Sequence, residues 1–252
     1  MGRCEGAMAL VTGGASGIGA AAARLLAAQS ARVMIADRNA EGAARVAREI
    51  GEAAASVALD VADAASWEAA VAATLEAFGG WNVLVNSAGI LRHGSVESET
   101  LDDWRQVMEI NVKGTWRGCK LAVAHMKETG GSIVNISSIA GIEAGGDLCA
   151  YSVSKGAVRQ LTKSVALYCA ERGWQVRCNS VHPGIIETPM LDTYFAEQPD
   201  PQAERAAWDQ VMPLGIRGEP EDIGHMIVYL ASAESRLVTG AEMVVDGGAM
   251  AR

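Results

Sequence analysis

The sequence predicts an α/β fold, a parallel sheet of about seven strands with helices packed on both faces. Three observations predict it. Short apolar runs alternate with helix-patterned stretches along the whole chain. The runs are continuously apolar, as strands covered on both faces require. A glycine-rich turn directly behind the first run marks the end of the sheet where a ligand would sit.

In chain order, residues 7–12 form the first expected strand, and the turn Thr12-Gly13-Gly14-Ala15-Ser16-Gly17-Ile18-Gly19 opens a helix over 17–29. A second strand, 32–36, runs into Asp37 and is followed by a helix over 40–50. The third strand, 56–59, precedes Asp60-Val61 and a helix over 63–78. Strand 82–85 leads into Asn86-Ser87-Ala88-Gly89, and one long helix is expected over 101–128, carrying Asn111. Strand 132–136 precedes Ser138, helix 151–172 starts at Tyr151, and strand 175–181 precedes Pro183. A helix over 220–231 and a strand over 242–245 close the pattern. No linker, internal repeat or low-complexity tract divides it, so residues 1–252 are expected to form one domain. The irregular stretch 189–218 contains Pro199, Pro201 and Pro213 and one short helical piece near 202–211. An insertion of that length beside a site is expected to be a substrate-binding lid.

Composition excludes several classes of function. The net charge is −9 and half the residues are hydrophobic. Without a basic tract, neither nucleic acid nor an anionic membrane surface is an expected partner. No apolar run is long enough to span a bilayer, and residues 7–11 run into the glycine turn instead of a cleavage site, so no leader is expected. The five cysteines are scattered and never form Cys-x-x-Cys, which fits a reduced, cytoplasmic chain; Cys149 reads as a packed small side chain. The four histidines lack metal-ligand spacing, so no metal is expected.

The glycine turn lies between a strand and a helix, where Gly13, Gly17 and Gly19 allow close approach to a pyrophosphate that Ser16, Ile18 and the helix N-terminus then face. No lysine follows, which argues against a nucleoside-triphosphate loop. Asp37, at the end of the second strand, suits the adenosine ribose and repels a 2′-phosphate, so NAD is expected as cofactor. Arg38 beside it reads as stacking or solvated. Asp60 and Val61 are placed to reach the adenine, although Asp60 alone would be an ordinary turn residue.

Tyr151 and Lys155 stand one helical turn apart and share a helix face. A cation beside a phenol is expected to lower its pKa and make it a general acid/base for a C–OH or C=O group. The spacing alone is common in unrelated helices.

Together these residues resemble the short-chain dehydrogenase/reductase family. The likeness spans residues 6–248, with the glycine turn, Asp37, Asp60, Asn86 to Gly89, Asn111, Ser138, Tyr151/Lys155 and Pro183-Gly184 through Thr188 in the family's order. It implies a Rossmann-type doubly wound sheet and a catalytic set of Asn111, Ser138, Tyr151 and Lys155. By this resemblance Tyr151 exchanges the proton, Ser138 holds the substrate oxygen, Lys155 bonds the nicotinamide ribose, and Asn111 interrupts the local helix bonding and holds a water linking Lys155 to solvent. Pro183, Ile186 and Thr188 would anchor the carboxamide, with Asn86 and Gly89 also at the cofactor. Ser87 departs from the family's usual asparagine, and His182 reads as packed or hydrogen-bonded.

The segments around Tyr151 and 239–248 are similar to bacterial NAD-dependent secondary-alcohol and 3β/17β-hydroxysteroid dehydrogenases. Leu148, Met190, Leu191, Tyr194, Phe195 and Met212 would line an apolar substrate pocket. No Arg or Lys occurs in 189–201, so a phosphorylated substrate is not expected. The implied activity is hydride transfer between NAD(H) and an apolar secondary alcohol or ketone, such as a cyclic alcohol, carbinol or hydroxysteroid. A 3-oxoacyl-thioester reductase and a catalytically silent nucleotide sensor remain as alternatives. The resemblance also implies a homotetramer.

Overall fold

Seven parallel strands form one sheet in the computed structural model, which describes residues 2–251. They are β1 (Met8–Thr12), β2 (Arg32–Asp37), β3 (Ala54–Ala58), β4 (Val83–Asn86), β5 (Gly131–Ile136), β6 (Val176–Pro183) and β7 (Glu242–Val245). Their order is β3-β2-β1-β4-β5-β6-β7. The chain winds outward from β1 through β2 to β3. It then returns to pair β4 with the other side of β1, Ala9 opposite Val83, and winds outward the other way. β1 and β4 therefore flank the topological switch point, above whose carboxyl ends such sheets bind ligands.

The continuous apolar strands are explained by two cores, one per face. Alternate residues such as Val11, Ile35, Val85 and Val134 meet Leu26 of α1 (Gly17–Ala28) and Ile223 and Ile227 of α9 (Pro220–Ala231). The intervening Leu10, Met34, Leu84 and Ile133 meet Trp67 of α3 (Ala64–Phe78) and Met126 of α5 (Thr115–Met126). Since successive strand side chains point to opposite faces, covering both faces makes most of either set apolar. The remaining helices are α2 (Ala40–Ile50), α4 (Leu101–Val107), α6 (Cys149–Glu171), α7 (Pro189–Ala196) and α8 (Pro201–Asp209). Among the described residues no helix is long and apolar enough to cross a membrane.

Two elements differ from what periodicity alone predicts, the first in the way the resemblance implied for Asn111. The helix predicted over 101–128 is split: α4 passes into a π-helical turn, Met108–Gly114, before α5 begins. The cause is Asn111, whose Oδ1 accepts from Ile90 N–H at 2.8 Å and whose Nδ2 donates to Ile90 O at 2.9 Å and Ser154 Oγ at 3.0 Å. Drawing that side chain inward widens the helix locally, and Thr115 Oγ1 bonds the Asn111 carbonyl at 2.7 Å. The stretch 189–218 holds two helices, α7 and α8, rather than one piece at 202–211. Thr188 caps α7 and Pro189 takes its first position, a start signal that the sequence carries.

Candidate active site

The connections after β1 and β4 leave in opposite directions and open a cavity of about 1110 Å³ over the carboxyl ends of the strands. Gly13, Ser16, Gly17, Ile18 and Gly19 line one end. Thr12 Oγ1 ties the two turns together by accepting from Ser87 and Ala88 N–H, both at 3.1 Å. Gly13 has φ +67°, and a side chain there would come within 2.8 Å of Ala88 N. At Gly19 an added Cβ would lie 2.2 Å from Gly13 O. Only glycine permits this closure. Ser16 caps α1 in extended conformation without a side-chain cap bond, and the first turn holds no acidic residue. The free amides and the positive end of the helix dipole suit an anionic group such as a pyrophosphate.

Asp37 lies on the same wall. Its Oδ2 accepts from Ala15 N–H at 3.1 Å and its Oδ1 from Asn39 N–H at 2.8 Å, which fixes the carboxylate beside Arg38. Asp60 and Val61 line the cavity next to it, Asp60 Oδ1 accepting from Ala62 N–H at 2.9 Å. Asn86 does not line the cavity. It is buried beneath it, donating from Nδ2 to Asn135 Oδ1 at 2.8 Å, with its own Oδ1 lacking a partner among the described residues. The last residue of β4 points into the layer between sheet and α5, a direction the strand pleat decides.

The other end of the cavity gathers Ser138, Tyr151 and Lys155. Ser138, just past β5, stands beside the Tyr151 phenol and lowers its pKa, and its Oγ accepts from Ala140 N–H at 3.1 Å. Lys155 Nζ donates to Ile136 O at 2.9 Å and lies 5.5 Å from the centre of the Tyr151 ring. Burial pushes the Tyr151 phenol up to about 12, partly offset by Ser138. Burial also brings the Lys155 ammonium down to about 8. This corrects the expectation that the lysine lowers the phenol's pKa: desolvation dominates at both groups, and the ammonium is directed at the Ile136 carbonyl. Asn111 is buried behind the cavity, yet an added Cβ at Gly89 would lie 3.2 Å from Asn111 Oδ1 and 3.6 Å from Lys155 Nζ. Both groups therefore lie against the Gly89 backbone. A neutral phenol beside a serine hydroxyl can donate a proton to a carbonyl oxygen and recover it from an alcohol.

Pro183, Ile186 and Thr188 line the cavity between the two ends, and Leu148, Met190 and Leu191 form part of its apolar wall. Tyr194, Phe195 and Met212 do not reach it. They pack α7 against α8 and the body of the fold, with Trp208 ring centres 4.9 Å from Tyr194 and 5.3 Å from Phe195. Among the apolar lining residues that sequence reasoning missed are Leu91, Ile139, Ile185 and Trp208. Only Trp208 had a signal, since it falls on the helix expected at 202–211. Among the described residues no cluster of His, Cys, Asp or Glu could hold a metal ion.

A family model described as enoyl-(acyl carrier protein) reductase matches residues 13–250. The chain is 45% identical over 252 residues to a 3-alpha-(or 20-beta)-hydroxysteroid dehydrogenase of Mycobacterium tuberculosis, covering 99% of this chain and 92% of that protein. It is 42% identical over 250 residues to an NADP-dependent (R)-specific alcohol dehydrogenase of Lentilactobacillus kefiri, covering 98% and 97%. A 3-beta-hydroxysteroid dehydrogenase of Comamonas testosteroni is 37% identical over 251 residues, covering 97% and 96%.

Proposed function

The chain belongs to the short-chain dehydrogenase/reductase family, and on that premise we propose that it uses NAD(H) to interconvert an apolar secondary alcohol and its ketone. The observation that carries this reading is the convergence of Ser138, Tyr151 and Lys155 at the apolar end of a cavity whose other end suits a dinucleotide. Gly13, Ser16, Gly17, Ile18 and Gly19 would hold the pyrophosphate, Asp37 and Arg38 the adenosine ribose, and Asp60 and Val61 the adenine. Gly89, Pro183, Ile186 and Thr188 would flank the nicotinamide, which when bound supplies or accepts the hydride.

The protein's own part is proton transfer and orientation. Ser138 and Tyr151 hydroxyls meet the substrate oxygen together, fixing its distance from the phenol. Tyr151, neutral at pH 7 with its pKa up at about 12, donates its proton to the ketone oxygen in reduction and takes it back in oxidation. Lys155, with its pKa down at about 8, is the group from which the phenol is reprotonated, and Asn111 positions the outlet beyond it.

NAD is favoured over NADP by the Asp37 carboxylate, a negative charge locked by two backbone amides where a 2′-phosphate would lie. The kefiri relative is NADP-dependent, so this choice rests on Asp37 rather than on likeness. Leu148, Met190, Leu191 and Trp208 support a neutral apolar substrate, a cyclic alcohol, carbinol or hydroxysteroid. In this reading residues 1–252 act as one cytoplasmic domain with 189–218 as lid. Exposed Trp116, Leu167 and Tyr168 on α5 and α6, and Val244 on edge strand β7, support a homotetramer.

Initial rates with cyclic alcohols, aryl carbinols and hydroxysteroids, each with NAD⁺ and NADP⁺, test the reading. Turnover with NAD⁺ is expected. A strong preference for NADP⁺ would overturn the cofactor assignment and favour the acyl-thioester alternative. Tight NADH binding with no turnover across the panel would favour a silent sensor.

A further inference from the structure

Ser138 sits where the sheet ends. Ser137 N–H donates to Val181 O at 2.8 Å, the last backbone bond between the β5 and β6 chains, and the path then turns into a short 3₁₀ segment, Ile139–Gly141. A side chain continues the pairing one residue further. His182 Nδ1 lies 3.0 Å from the Ser138 carbonyl and Nε2 lies 2.8 Å from Ser180 Oγ. A carbonyl can only accept, so Nδ1 carries the proton, and the Ser180 hydroxyl, whose other acceptor Ala241 O is farther at 3.4 Å, donates to the nearer Nε2. Burial holds the His182 pKa below its ordinary value, which keeps this neutral tautomer at pH 7.

His182 is fully buried (0% exposed) and does not line the cavity, so it touches neither cofactor nor substrate. Packing alone would use neither ring nitrogen, yet both are matched. On the other side of the same loop, Ser137 Oγ donates to Lys155 O at 2.8 Å. The Ser137-Ser138 pair is thus held between β6 and α6. The Ser138 carbonyl receives one further bond, from Gly141 N–H at 3.0 Å, which belongs to its own turn and cannot anchor it to the sheet.

We propose that His182 is a positioning residue: its Nδ1–H, braced by Ser180, fixes the Ser138 backbone and with it the angle at which Ser138 Oγ meets the Tyr151 phenol. The inference rests on the reading that Ser138 orients the substrate oxygen. Orientation at a reacting centre is steep, and an error of about 1 Å costs up to about 100-fold in rate.

The test compares His182→Leu, which removes both nitrogens, with His182→Asn, whose amide N–H stands near the Nδ1 position. Turnover is followed as NADH oxidation with acetophenone or cyclohexanone, NADH binding by fluorescence, and folding by thermal unfolding. His182→Leu is expected to lower kcat about 10- to 100-fold with the Kd for NADH unchanged, and His182→Asn to recover most of it. In a Ser138→Ala background, His182→Leu should cost nothing more, because the two act as one unit. Wild-type kcat in His182→Leu, no recovery with Asn, or losses that multiply in the double variant would each overturn the proposal. If the leucine variant does not fold, His182→Gln, which places its donor at the Nε2 position, takes its part and is expected to be slow. Full turnover in Ser138→Ala alone would instead overturn the functional reading of Ser138, and the inference with it.

Discussion

Replacing Lys155 with methionine keeps a long stem and removes a charge that the fold encloses. Lys155 is 5% exposed, and burial takes its pKa from 10.5 to about 8. At about 1.4 kcal/mol per tenfold change, holding that ammonium in place costs about 3 kcal/mol. Below pH 8 the folded and unfolded chains both carry the proton, and the full cost stands. Between about 8 and 10.5 the folded protein has lost the proton while the unfolded chain retains it, so the wild type gains stability as pH rises. Above 10.5 both are neutral and the cost is gone. The methionine variant lacks this dependence but leaves the Ile136 carbonyl without its donor, a constant loss of about 1–3 kcal/mol. The difference between the proteins should therefore move by about 3 kcal/mol in favour of the wild type from pH 8 to 10.5. In a chain of 252 residues that corresponds to roughly 6–12 °C in Tm. Tyr151, raised to about 12, acts oppositely only above pH 10 and is present in both proteins. Paired thermal and urea unfolding at pH 7, 8, 9 and 10 measure the effect. A difference constant to about 0.5 kcal/mol across that range would refute the desolvation argument.

Tyr151→Phe removes the only proton that the phenol has to give, so kcat should fall about 10²- to 10⁴-fold while NADH binding, measured by fluorescence, stays as it was. Gly13→Ala puts a methyl group 2.8 Å from Ala88 N at φ +67°, so it should lower stability by about 1–3 kcal/mol and weaken NADH binding, both visible in a thermal-shift titration. Asp37→Ala removes the locked charge at the ribose position and should narrow the NADH preference over NADPH by at least about tenfold in kcat/KM. An unchanged ratio would mean that some other group sets cofactor choice.

Much of the fold was legible because its signals are local. Alternating apolar runs, a glycine turn between strand and helix, and Asp37 at a strand end each act over a few residues. The Tyr151 and Lys155 spacing is equally local, since one helical turn places both on one face. The interruption at Asn111 was legible only through the family resemblance and not from periodicity, because its cause is Ile90, a partner from a different part of the chain. Tyr194, Phe195 and Met212 read as apolar and are apolar, but periodicity does not say whether such a side chain meets a ligand or another helix; here they meet Trp208 and one another. Asn86 turned inward for the same reason, its direction being set by the strand's pleat and the helix above it.

The sequence by itself determined the family, the parallel sheet and the residue types available for hydride and proton chemistry. Those follow from periodicity and from the covalent nature of each side chain, which no neighbour alters. Only the tertiary structure decided the sign of the Tyr151 shift, the wall of the substrate cavity, and the bond between His182 and the Ser138 carbonyl. Desolvation depends on everything that surrounds a group, and positioning on which distant strand ends beside it. Neither is a property of any short stretch of chain.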